Sequence, residues 1–436
     1  MMRLRFRRLL SSPVLIAGVA LALHMALLYQ DARSSAASGM DHTPYGFELG
    51  NVAASIAAGN GFSSPLSTVR SGPTAWFTPI YPSLVAAIFK LWGIYSRTSY
   101  IIIQFLNCVF ASLTIFPIRA IAKRSFGGTI ATGAAWTWVF FPSALFLPIL
   151  WLWDTTLTAL LFALIFWATL VLPESRGVLP WAGYGGLWAA GVLINPSIFS
   201  LFPFLLGWLV WRKRKEWPHG IKQAAAALVI FLFALVPWTL RNDRVLGAPV
   251  IFRSNFGLEL WLGNNEQVAD TWTPELHPNE NLAEGRKYQS MGEIAYMSEK
   301  KREAFEFMRK HPGDALDFTY HRFVYMWLGV DNPIDSLSDG YLVSKLMVNF
   351  PLSLLTLLGV LFACRTRHPA ATPFSFVVLI FPAVYYVTHP MLRYRFPIDP
   401  IMIVLAVYGL AYTISHIRNR RLHEKTVMPI SPLPVD

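Results

Sequence analysis

The chain has 436 residues, 54% hydrophobic and only 14% charged, against about 25% charged in a typical soluble domain. That balance excludes an ordinary soluble protein and indicates an integral membrane protein. The net charge of +12 would suit a nucleic-acid partner, but the basic residues sit at the ends of apolar runs, which is the positive-inside pattern of cytoplasmic loops.

The N-terminal RLRFRR precedes an apolar run over 13–30 and then ARSSAAS. This reads either as a cleaved signal peptide or as a first membrane helix, and the topology works with it retained. The polar, Gly- and Pro-rich stretch 41–82 follows, longer than a return turn needs. Thr43 and Pro44 suit a helix start. Leu49, Val52, Ala53 and Ile56 then form one apolar face, with Glu48, Asn51 and Ser55 opposite, and Gly59-Asn60-Gly61 ends the helix. Residues 76–93, WFTPIYPSLVAAIFKLWG, are apolar, but Pro79 and Pro82 break the start and Lys90 lies near the far end. They predict an interfacial or re-entrant helix.

Further apolar runs near 99–118, 128–148, 154–172, 179–195, 197–211, 221–239, 341–363, 373–388 and 399–416 predict spans. With 13–30 they make ten crossings and leave both termini cytoplasmic. The basic clusters Arg3 to Arg8, Arg119 to Arg124, Arg212 to Lys215, Arg365 with Arg367, and Arg418 to Arg421 then share the inner side, provided that 76–93 does not cross. The expected fold class is an all-α polytopic membrane protein with interfacial helices and an outer helical loop subdomain. Its expected parts are a membrane module, 1–240, with first outer loop 31–75; an outer region, 241–340; C-terminal membrane helices, 341–417; and a cytoplasmic tail, 418–436. The outer region carries 13 of the chain's 25 acidic residues between 265 and 335, and its segments 292–310 and 313–328 read as amphipathic helices, the first ending at His311-Pro312-Gly313. The two cysteines, Cys108 and Cys364, make no disulfide framework.

Few acids lie outward near the membrane module: Asp31, Asp41, Glu48, Asp154 and Asp399, with Asp243 and Glu259 at the base of the outer region. Glu48 is either a solvated residue on an interfacial helix or a general base reachable by an acceptor. Asp154, flanked by Trp151 and Trp153, is either a helix N-terminal acid favoured by the dipole or an acid facing protein or water at the bilayer edge. Arg241, Arg244, Arg393 and Arg395 are basic yet outward, with Arg253 following in the outer region. They read either as nonspecific lipid contacts or as a clamp for the phosphate of a specific lipid. Tyr394, with Tyr385 and Tyr386, suits an interfacial belt. No zinc spacing, P-loop or dinucleotide fingerprint is present.

GFELGNVAASIAAGNGFSSP, GPTAWFTPIYPSLVAAIFKLWG, WLWDTTLTALLF, PWTLRN, LWLGNN and the late RYRFP together resemble the GT-C superfamily of membrane glycosyltransferases, which includes the protein O-mannosyltransferases and lipid A aminoarabinose transferases. The resemblance covers roughly residues 1–265 and RYRFP. It implies a sugar donor carried on a polyprenyl phosphate, inversion at the anomeric centre, and an acid of the first outer loop as base. Relatives carry an Asp or Asp-Glu pair there. This chain has Phe47-Glu48, with Asp41 seven residues earlier, so the role falls on Glu48 first and Asp41 second. Asp154 matches the acid at the start of the fourth span. Arg241, Arg393 and Arg395 are the candidate phosphate ligands, by charge and side rather than by motif; Asn51, Asn264 and Tyr394 are candidates for the acceptor or sugar. No cofactor is required, a divalent metal is not indicated, and the expected partners are membrane lipid, the lipid-linked sugar and an acceptor that is a protein, lipid or glycan. The expected location is the plasma membrane, with the site on its extracytoplasmic face. An O-antigen ligase or polymerase and a transporter are the rival readings.

Overall fold

A computed structural model describes residues 9–37, 47–150, 152–268, 271 and 273–427. Among them the chain is helical almost throughout, and the only β pairing is one bridge between Ser63 and Pro73. Six helices are long and apolar enough to cross a membrane: Pro13–Ser34, Arg97–Phe126, Thr155–Glu174, Arg214–Leu246, Gly340–Arg365 and Leu392–Asn419. Gly128–Phe140 and Pro142–Leu150, bent by 42° at the Phe141-Pro142 step, make a seventh. The sequence predicts ten crossings. The other three correspond to shorter helical segments, Leu179–Val192, Pro196–Arg212 and Ala371–Val387. Prolines cut them short: Pro196 follows the extended Asn195, and Pro382 interrupts the segment that begins at Ala371.

The ten segments nevertheless run between two distinct ends of one bundle. At one end the basic loops meet. Arg124 pairs with Glu174, Lys213 Nζ donates to the Ser175 carbonyl at 3.2 Å, Gln223 Nε2 donates to the Arg176 carbonyl at 3.0 Å, and His368 Nε2 donates to the Ser125 carbonyl at 2.7 Å. At the other end Thr78 Oγ1 donates to the Ile194 carbonyl at 2.8 Å, Arg241 Nη2 to the Phe62 carbonyl at 2.6 Å, and Asn264 Nδ2 to the Val387 carbonyl at 2.8 Å. Each short segment starts at one end and finishes at the other, as ten traverses require.

The Ile80–Trp92 helix does not traverse. The Ile80 amide bonds the Leu193 carbonyl at its start, and just past its end the Tyr95 hydroxyl bonds Asn51 Oδ1 at 2.9 Å, so it begins and ends on the same side. Thirteen residues also span only about 20 Å. It packs its Tyr81–Val85–Phe89 face against the Glu48–Ala57 helix and exposes Leu91 and Trp92 at its tip, a face suited to the membrane interface.

The outer region is built on Leu282–Met291, Glu293–Lys310 and Pro312–Leu328. It is fastened to the first outer loop by Glu293, which is buried and accepts from the Ala75 amide at 2.7 Å, the Tyr288 hydroxyl at 2.6 Å and the Thr74 hydroxyl. It is fastened to the bundle by the wholly buried Arg322, which donates to the carbonyls of Gly263, Thr271 and Val387. A Cβ at Gly263 would overlap the Thr388 carbonyl oxygen, so only glycine lets the Phe256–Gly263 helix lie against the 388–389 backbone. Gly263→Ala is expected to separate Glu259 from His389 and to expose this junction; limited proteolysis of detergent-solubilised protein should show faster cleavage between 263 and 281 than in wild type.

Candidate active site

A cavity of about 730 Å³ opens between the outer segments and the membrane helices. Leu147, Leu150 and Pro397 bring an apolar wall from the membrane helices. The other walls bring Glu48, Asp154, Arg253, Glu259, His277, His389, Arg393 and Tyr394.

Glu48 is the first residue of its helix and is buried to 9% exposure. Phe47 just before it has φ 44°, a left-handed conformation that a bulky residue adopts at a cost. Glu48 Oε1 accepts from Asn279 Nδ2 at 2.9 Å and lies 3.5 Å from His277 Nε2. Asp154, 3% exposed, precedes the Thr155–Val171 helix and is paired with Arg253 at 2.9 Å. Asn195 Nδ2 donates to its other oxygen at 3.3 Å. Arg253 also lies over the Phe77 ring at 4.9 Å and donates to the Ile194 carbonyl at 3.4 Å. The charge of Asp154 is therefore matched inside the protein, as an acid at the bilayer edge requires. The Arg393 guanidinium lies over the Trp153 ring at 4.4 Å and the Tyr394 ring at 5.4 Å, a cation set against two aromatic walls of the cavity.

A second acid–histidine pair faces the same space. Glu259 Oε2 lies 3.5 Å from His389 Nδ1, and Glu259 Oε1 accepts from Asn255 Nδ2 at 2.7 Å. Burial, reinforced by the nearby Glu48 carboxylate and opposed by Arg253 and Arg393, pushes the Glu259 carboxyl up to about 7. Burial holds His389 down at about 3, so that ring is neutral. The sign for Glu259 follows from proton counting. The folded chain keeps this proton between the unfolded value of about 4.3 and about 7, so stability falls as pH rises through that window. Glu259→Gln is expected to stabilise the protein by an amount that grows between pH 5 and pH 8 by up to about 2–3 kcal/mol. Melting curves in detergent across that range check it, and a gain independent of pH would refute it.

Of the residues expected from sequence, Glu48, Asp154, Arg393 and Tyr394 line this cavity. Asp41 lies outside the described residues. The others are engaged elsewhere. Arg241 donates to the carbonyls of Phe62 and Thr74 and lies over the Trp238 ring at 5.2 Å, holding the first outer loop to the bundle. Arg395 is 1% exposed; it pairs with Asp399 at 2.9 Å and donates to the Met326 and Trp327 carbonyls and to Asn349 Oδ1. Asn51 bonds the Pro65 carbonyl and Tyr95, and Asn264 bonds Leu260, Val387 and Arg322. Neither of these arginines nor either asparagine lines the cavity, and their donors go largely to backbone carbonyls at the loop junctions. Sequence reasoning passed over His277, Asn279 and His389, left Glu259 without a role, and grouped Arg253 with the outward arginines without ranking it among the phosphate ligands. Only His277-Pro278-Asn279, a turn-forming tripeptide, carries any local signal. Among the described residues no group of three His, Cys, Asp or Glu side chains is placed to hold a metal ion.

No protein-family model and no curated protein matches the chain. Solved structures do. The archaeal oligosaccharyltransferase AglB from Archaeoglobus fulgidus, in complex with an inhibitory peptide and a dolichol-phosphate, matches with a TM-score of 0.54 at 11% identity over 97% of this chain and 52% of that one. The Archaeoglobus fulgidus oligosaccharyltransferase in the apo form matches with a TM-score of 0.55 at 13% identity, over 97% and 53%. Its complex with Zn and sulfate matches with a TM-score of 0.54 at 11% identity, over 94% and 50%. The chain thus spans about half the length of the structures it matches, and at this identity the likeness is one of fold.

Proposed function

We propose that this chain, a multi-pass membrane protein with the GT-C fold, is a glycosyltransferase that moves a sugar from a polyprenyl-phosphate carrier to an acceptor, with inversion. The observation that carries the reading is the meeting of Glu48, Asp154, Arg253 and Arg393 on one cavity that also has an apolar wall of side chains from membrane helices. A lipid-linked donor needs that combination: an apolar approach for the chain, cations for the phosphate, and a carboxylate for the acceptor.

In the reaction the acceptor O–H or N–H attacks the anomeric carbon, and the bond from that carbon to the phosphate oxygen breaks. Glu48 takes the acceptor's proton. The leaving polyprenyl phosphate carries off the electron pair and needs charge stabilisation more than protonation, which Arg393 supplies, with Arg253 beside it. Asp154 keeps Arg253 in place. The proteins matched in fold bind a dolichol-phosphate and a peptide, which makes a lipid phosphate the first ligand to assay and a peptide the first acceptor. The gathering of the basic loops at the opposite end of the bundle supports an extracytoplasmic cavity under the positive-inside rule.

The test is transfer in proteoliposomes supplied with radiolabelled polyprenyl-phosphate sugars and a peptide, lipid-extract or glycan acceptor pool. Label should leave the polyprenyl phosphate only with functional protein. Movement of the intact lipid-linked sugar between leaflets without cleavage would favour a transporter instead.

A further inference from the structure

The candidate base is not held by the membrane bundle. Both partners of Glu48 Oε1 come from one turn of the outer region, His277-Pro278-Asn279. That turn is itself tied to the first outer loop. Asn279 Oδ1 accepts from the Ser67 amide at 2.7 Å and from the Ser67 hydroxyl at 2.9 Å, and the Pro278 carbonyl accepts from the Thr68 hydroxyl at 2.8 Å.

Within the turn the Asn279 amide donates to His277 Nδ1 at 3.2 Å. A lone pair is therefore required on Nδ1, and the proton of the neutral ring sits on Nε2, the atom that faces Glu48. Burial beside Trp76, whose ring is 5.8 Å away, lowers the His277 pKa against the opposing pull of Glu48 and Glu280. The backbone donor thus fixes the tautomer of the ring, with its N–H on the side that faces Glu48.

We infer that His277 and Asn279 are the positioning residues of the Glu48 base: Asn279 Nδ2 donates to Oε1, the His277 ring stands 3.5 Å from the same oxygen, and Oε2 is left to take the acceptor's proton. A consequence is that the base is assembled only when the His277-Pro278-Asn279 turn lies on the first outer loop. The inference rests on Glu48 being the base, as proposed above.

The charged and titratable groups facing Glu48 are His277, Glu259 and Tyr394; those facing His277 are Glu48, Glu280 and His389. Removing a donor from a carboxylate disfavours its ionised form, so the acidic limb of the kcat–pH profile should move to higher pH. Asn279→Ala is expected to lower kcat by about 10- to 100-fold, as for loss of one charge-assisted hydrogen bond, and His277→Ala, which removes the ring packed against the same oxygen, by about 10-fold. Binding of a polyprenyl phosphate, measured by thermal shift, should stay within about 2-fold, since neither residue carries a charge to the donor. His277→Gln, which restores an N–H near the position of Nε2, should recover most of the rate and return the acidic limb.

Wild-type kcat with an unmoved acidic limb in His277→Ala would overturn the inference. If the alanine variants fail to fold, His277→Gln decides: recovered folding without recovered rate would reduce the turn to a structural support and equally overturn it. Full activity in Glu48→Gln would instead defeat the base assignment itself, a separate outcome.

Discussion

Glu48→Gln should lower kcat by about 10²–10⁴-fold, the usual worth of a general base, while a polyprenyl phosphate continues to bind. The substitution preserves volume and keeps an oxygen to accept from Asn279 Nδ2, which sits 2.9 Å away in the wild type. What disappears is the capacity to take a proton. Because Glu48 is nearly buried and carries the helix start of the first outer loop, the neutral glutamine should not unfold that loop, and removal of a buried charge is as apt to stabilise as to destabilise it. Single-turnover transfer and donor binding measured on the same preparation separate the two effects. Asp41→Asn is the companion variant: near-normal turnover is expected, and a dead Asp41→Asn beside an active Glu48→Gln would transfer the role.

Arg393→Ala and Arg395→Ala should fail in different ways, although the residues are two apart. Arg393 lines the cavity against Trp153 and Tyr394. Its loss should weaken binding of a polyprenyl phosphate by about 10- to 100-fold through one charge-assisted contact, with little change in melting temperature. Arg395 is closed in the core. Removing it leaves Asp399, 1% exposed, without its 2.9 Å partner. Breaking a buried pair from one side costs about 3–5 kcal/mol, so Arg395→Ala should appear as lost folded protein on size-exclusion chromatography. A well-folded Arg395→Ala that fails to bind lipid phosphate, beside an Arg393→Ala that binds normally, would reverse the two assignments.

The contrast follows from helix geometry. Leu392–Arg395 is a single turn, and residues two apart on a helix point to opposite sides. Charge and sidedness drew both arginines into one candidate clamp because those properties are common to both. Burial separates them, and burial depends on what Met326, Trp327 and Asn349 bring from other helices.

By itself the sequence determined the class of protein, the positions of the apolar segments, the non-crossing Ile80–Trp92 helix and the helix bearing Glu48, because each is written in local quantities: run length, 3.6-residue periodicity, proline position and the side on which basic residues collect. Segment 292–310 was legible for the same reason and is observed as Glu293–Lys310. The tertiary structure alone decided the site. Asp154 meets Arg253 across 99 residues, and Glu48 meets Asn279 across 231. No periodicity links such pairs. Arg241, Asn51 and Asn264 carry the right chemistry for ligands, yet the fold uses them on carbonyls that irregular junctions leave unsatisfied. Which polar residue faces a substrate and which satisfies the backbone is settled by packing, since only packing determines where unpaired carbonyls are left.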